Sequence, residues 1–168
     1  SKLFIYIKPD EDIPLSIEEP HTTIVYLNNS IEGKDRQGVI SDISNILKNY
    51  NPPKCSWEGV ATFDNEDKSR VILINFENGA EIYSDIIEVL SKYIGVDRDY
   101  NFIPHMAIDK TLDISELPKY EWKPKSIFIE FEENIPAIEI EFKTGKIKES
   151  QNLQETVEEE TSQKLSWK

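Results

Sequence analysis

Apolar residues gather in strand-length segments along most of the chain. LFIYIK (3–8), TTIVYL (22–27), WEGVATF (57–63), RVILINF (70–76), HMAIDK (105–110), SIFIEFEE (126–133) and AIEIEFK (137–143) are rich in β-branched and aromatic residues. Pro, Asn, Asp or Gly bounds each of them, as expected of short strands. SIFIEFEE and AIEIEFK alternate apolar with polar positions, which predicts half-exposed strands, whereas the nearly unbroken RVILINF predicts a buried central strand.

Two segments keep helical spacing instead. Val39, Ile43, Ile46, Leu47 and Tyr50 form one stripe, and Ile82, Tyr83, Ile86, Ile87, Leu90 and Ile94 form another, each recurring every three or four residues. Gly95 stands where the second helix is expected to stop. The predicted order is strand, His-strand, helix, two strands, helix, His-strand, two strands. A unit of strands and one helix is thus used about twice, although no internal sequence repeat supports a duplication.

Composition narrows the function classes. The 168 residues, 38% of them hydrophobic, suit one domain or two closely packed lobes. After Lys148 the chain turns polar, with five glutamates among twenty positions, so the expected organisation is a domain over 1–148 and an acidic, flexible tail over 149–168. Leu153, Val157, Leu165 and Trp167 are the tail residues able to dock weakly. A formal charge of -13 argues against duplex nucleic acid as a partner, because such binding needs surplus Lys and Arg to displace counterions. It leaves room for a short phosphorylated ligand in a locally positive pocket. No apolar run reaches the roughly 18 residues of a membrane span, and SKLFIYIKPDED reads as a first strand, not a signal peptide. Cys55 is the only cysteine, so no disulfide or Cys/His zinc cluster is expected. A cytoplasmic monomer is the default expectation. The acidic DED (10–12) reads as a solvated face before it reads as a metal site.

The chain has two histidines, His21 and His105, and each follows a proline and opens an apolar run: PHTTIVYL and PHMAIDK. Residues two apart on a strand share a face, which pairs His21 with Thr23 and His105 with Ala107. Near neutral pH one imidazole can be neutral and the other charged. The pair can then take a proton from an attacking hydroxyl and give one to a leaving oxygen, while a neighbouring hydroxyl holds a phosphoryl oxygen. This chemistry at phosphorus asks for no metal.

The motifs HTTI (21–24) and HMAI (105–108), with WEGVATFDNEDKSRVILINF between them, resemble the two-histidine (2H) phosphoesterases of LigT-like fold. LFIYIKP, PHTTIVYL and FIPHMAI are particularly similar to compact bacteriophage-encoded members, and the likeness spans residues 3–143. It implies an α+β, bilobal fold with two antiparallel sheets around a central groove and flanking helices. It further implies a phosphodiesterase that uses no cofactor and acts on a small cyclic or 2′-linked nucleotide or short oligonucleotide. His21 and His105 would be the proton-transfer pair, and Thr23 a phosphate contact. Lys8, Tyr6, Tyr26 and Lys110 are further substrate-binding candidates, with the tyrosines able to stack on a base. Ala107 departs from the pattern, because the family has Thr or Ser there. A missing donor of this kind costs about 2.7–4 kcal/mol of transition-state stabilisation. Replacement by another group, slow turnover, and binding without cleavage are the three open explanations. Sequestration of a nucleotide and a structural role are the competing functions.

Overall fold

The computed structural model describes residues 2–153. Its first half runs β1 (Leu3–Ile7), β2 (Thr22–Leu27), α1 (Gly33–Leu47), β3 (Cys55–Thr62), β4 (Arg70–Phe76) and α2 (Gly79–Leu90). The second half runs β5 (His105–Ile108), β6 (Glu121–Trp122), β7 (Ser126–Glu130), β8 (Ala137–Glu141) and β9 (Ile147–Ser150). One sheet has the order β2-β1-β7-β8-β9 and the other β5-β4-β3-β6, with antiparallel pairing throughout. The fold is therefore α+β with two antiparallel sheets. β2 and β5 are both edge strands and run close to each other where the sheets meet.

Each predicted strand forms, with ends moved by at most three residues. RVILINF lies between β3 and β5, as its unbroken apolar character predicts. SIFIEFEE differs from expectation, because all five residues of β7 are buried. Its alternation separates two covered faces. Ile127 and Ile129 join the main core, while Phe128 packs with Phe4 and Tyr6 in a second cluster. The helices also shift. α1 begins at Gly33, six residues before its apolar stripe, because the polar GKDRQG still winds as helix. α2 ends at Leu90, before Gly95, and the N–H groups of Tyr93 and Ile94 close a turn on the Leu90 carbonyl.

The main core joins both sheets and both helices. Ile5, Ile24 and Ile129 of one sheet, Ile72 and Met106 of the other, and Ile43 and Ile86 of the helices are all buried within it. Two strands carry too little pattern to be predicted. β6 is two residues long, and β9 is largely exposed. β9 runs through the 148/149 boundary that composition suggests. Beyond it Leu153 packs on the Phe4–Tyr6–Phe128 cluster, and the Asn152 side chain donates to the Glu132 and Glu133 carbonyls. The expectations for Val157, Leu165 and Trp167 lie outside the described residues. The β8–β9 hairpin turns at Gly145, whose φ of +69° suits glycine. A Cβ there would lie 2.7 Å from Ser44 Oγ, the atom that donates to the Gly145 carbonyl at 2.6 Å. That contact fixes the hairpin against α1.

Candidate active site

The two histidines are held by the same local device. His21 Nδ1 lies 2.9 Å from the Glu19 carbonyl oxygen, and His105 Nδ1 lies 2.8 Å from that of Ile103. In each case the carbonyl belongs to the residue two positions upstream, with a proline between. A carbonyl only accepts, so Nδ1 carries the hydrogen in both rings, and Nε2 holds the lone pair of the neutral form. Both side chains are buried, at 6% and 5% exposure. His105 is the first residue of β5, whereas His21 stands one residue before β2, a small departure from the expected strand start. Glu19 sits at φ 48°, in the left-handed region that non-glycine residues seldom adopt. Its carbonyl reaches the ring from that turn.

Around His21 the environment is aromatic and acidic. The rings of Phe4 and Tyr6 stand edge-on to the imidazole, with centroids at 5.5 and 5.9 Å. A bulge changes the β1–β2 register so that Ile5 faces Val25 but Tyr6 faces Thr23. Cross-strand partners share a face, so Thr23 lies on the same face as Tyr6, beside His21. Tyr6 is wholly buried. Its ring stacks on Phe128, and its hydroxyl donates to Glu130 Oε2 at 2.7 Å. It thus forms part of the floor and presents no face on which a base could stack, which corrects the expectation for this residue. Burial, then the Glu130 charge, pushes the Tyr6 phenol far above its ordinary range. Burial also raises the Glu130 carboxyl; the bonds from Tyr6 and the Leu153 N–H and the charge of His21 oppose that rise. Tyr26 meets Phe4 edge-on at 6.0 Å, and its buried hydroxyl has no hydrogen-bond partner among the described residues. The Lys8 ammonium lies 4.6 Å from the Phe128 ring centroid, a cation–π contact on the same face.

Around His105 the environment is more open. The Phe63 ring meets it edge-on at 4.6 Å. A cavity of about 480 Å³ is lined by His105, Ala107 and Lys110 together with Ser69, Arg70 and Thr111. Asp67 and Asp109 complete its charged lining. Arg70 donates to the Leu112 carbonyl and Lys110 to the Asp67 carbonyl, so both cations are anchored to backbone. Asp109 accepts the Thr111 N–H and hydroxyl, which hold its carboxyl below the usual range. Ala107 faces this cavity, next to hydroxyls from other segments.

His105, Ala107 and Lys110 therefore come together, and His21, Thr23, Tyr6 and Lys8 form a second group on the other sheet. Sequence reasoning missed Arg70, Ser69, Thr111 and Glu130. A basic residue opening an otherwise apolar strand is the available signal for Arg70, and an acid at the inward end of SIFIE is the one for Glu130. Among the described residues no group of three or more His, Cys, Asp or Glu side chains is placed to hold a metal, and no helix is long and apolar enough to cross a membrane. Burial pushes the Cys55 thiol up to about 12, which leaves it protonated and inert at neutral pH.

No protein-family model and no curated protein matches the sequence. Solved structures do match in fold. TT0787 of Thermus thermophilus superposes with a TM-score of 0.54 at 14% identity, over 89% of this chain and 94% of that one. Escherichia coli LigT complexed with NADP+ superposes with a TM-score of 0.50 at 9% identity, over 90% of this chain and 95% of that one. The chain has the LigT-like fold of the two-histidine phosphoesterases.

Proposed function

We propose that this protein is a phosphodiesterase of the two-histidine type, cleaving a small cyclic or 2′-linked nucleotide or oligonucleotide by general acid and base catalysis without a metal. The observation that carries this reading is the matched tethering of His21 and His105, each with Nδ1 on the carbonyl two residues upstream. A hydrogen-bonded Nδ1 fixes the tautomer and leaves Nε2 for proton exchange, as both halves of the reaction need. The strands carrying the rings meet where the sheets join. Thr23 would hold a phosphoryl oxygen on one side. Arg70, Lys110 and the hydroxyls of Ser69 and Thr111 offer the charge and donors on the other side that Ala107 does not. The LigT structure of this fold holds NADP+, which supports a nucleotide ligand. The likeness of the motifs to compact phage-encoded members supports a further role, destruction of a host immune nucleotide signal in the host cytoplasm.

The test is incubation with 2′,3′-cyclic nucleotides, 2′,5′-oligoadenylate and cyclic di- and trinucleotides in EDTA. Wild type is compared with His21→Ala and His105→Ala. Turnover that survives EDTA and disappears in both variants is the expected result. Ala107 favours a second reading, a module that sequesters the nucleotide without cleaving it. Tight binding with no turnover, equal in all three proteins, would establish that reading and sink the first.

A further inference from the structure

The two imidazoles are tethered alike but differ in the charges around them. On the His21 side, Glu130 of β7 is 6% exposed and is the buried carboxylate among the described residues. One of its oxygens takes the Tyr6 hydroxyl at 2.7 Å and the Leu153 N–H at 2.9 Å. Burial raises this carboxyl, and the two donors on one oxygen oppose that rise by favouring the ionised form. The ring of Tyr6, which binds this carboxylate, also flanks His21. The carboxylate of Glu19, whose carbonyl tethers His21, acts on both Tyr6 and Glu130. The cations on this face are Lys8, over the Phe128 ring, and Lys2, over the Tyr26 ring, so the group that sets this side apart is the buried carboxylate of Glu130. His105 faces a cavity whose carboxylates, Asp67 and Asp109, are exposed and stand with Arg70 and Lys110. Its carboxylates are offset by its cations, and one of them is engaged by Thr111. Charge on His21 favours ionisation of Glu130, and such coupling is reciprocal. Ionised Glu130 therefore favours charged His21; burial disfavours charge on both rings alike, at 6% and 5% exposure, so this coupling is what separates them.

We infer that Glu130, held by Tyr6 and Leu153 on the His21 side, is a positioning residue that keeps His21 as the imidazolium, making His21 the general acid and His105 the general base. This assignment rests on the phosphodiesterase reading above. With a cyclic phosphate, water attacks phosphorus and its proton passes to His105 Nε2 as the new oxygen–phosphorus bond forms. The bond to the leaving oxygen breaks with its electron pair on that oxygen, which takes the proton from His21 Nε2. Solvent then removes the proton from His105 and returns one to His21, so one water is consumed for each bond cleaved.

The test is an NMR titration of the two imidazoles in substrate-free protein, assigned with His21→Gln and His105→Gln. His21 is expected to titrate at higher pH than His105. Glu130→Gln, which keeps an acceptor for Tyr6 and Leu153, is expected to lower the His21 midpoint by about one pH unit and leave His105 in place. An unmoved His21 midpoint, or equal movement of both rings, overturns the inference. Tyr6→Phe keeps the carboxylate and should keep the high midpoint. A fall as large as that in Glu130→Gln would mean that packing, and not charge, sets it, and would also overturn the inference. In turnover, Glu130→Gln should move the basic limb of the kcat profile to lower pH, since the acid is lost as pH rises. Movement of the acidic limb alone would reverse the assignment. The titration needs no substrate, so it remains readable if the protein turns nothing over, and failure of the two readings can be told apart.

Discussion

The segment around His21 and the segment around His105 hold their rings by one backbone device and differ in nearly everything beside them. His21 stands on Phe4 and Tyr6 over a buried carboxylate, with Thr23 on the same face. His105 stands on Phe63 beside an open cavity with two cations and no hydroxyl at position 107. On the proposed reading, two similar elements perform opposite proton transfers because environment and not residue type sets which ring is charged.

The comparison can be broken most severely at the rings themselves. His21→Ala and His105→Ala should each lower kcat by about 10²–10⁴-fold on a cleaved substrate. The double variant should be little worse than the poorer single, because the two act as a unit. Steady-state rates on one cyclic phosphate check both statements. The hydroxyl asymmetry is next. Thr23→Ala should cost about 10²-fold or more in kcat, and Ala107→Thr should raise it; equal, negligible effects would show that neither position touches phosphate. Smaller still, Arg70→Ala should raise KM by about tenfold, in line with the loss of one charge-assisted hydrogen bond. The rise should shrink in high salt, which screens the attraction in the wild type. The smallest effect concerns stability. Burial raises the Glu130 carboxyl above its ordinary 4.5, so the folded state holds that proton more tightly than the unfolded one. The contribution is therefore present at low pH and lost as pH climbs through 4.5 and above. Thermal melts should show wild type falling relative to Glu130→Gln over that range; a constant difference would remove Glu130 as the source.

The sequence makes legible what depends on local pattern. Seven strands, both helices, the central place of RVILINF and the two Pro-His strand starts all follow from periodicity and proline. β6 and β9 escape because one is two residues long and the other is polar and exposed. Ser126–Glu130 is misread because a polar position opposite an apolar face looks solvated, while here Phe4, Tyr6 and Leu153 cover it. The site divides the same way. His21, Thr23, His105 and Ala107 are readable as motifs. Arg70, Ser69 and Thr111 join the His105 cavity, and Glu130 the floor beneath His21, only through strand register and loop folding, which no short window encodes. Tyr6 is misassigned because an aromatic residue near a site can be floor or platform, and only its hydrogen bond to Glu130 separates the two.

The tether from each Nδ1 to its own chain has an evolutionary side. Three consecutive residues set the aim of the ring: one that supplies the carbonyl, a proline, and the histidine itself. Neighbouring positions are then free to vary without misdirecting it. If the proposed phosphodiesterase reading holds, such a site can change the residue at 107, or the charges lining its cavity, and be retuned to a new phosphate ester while the two rings keep their aim.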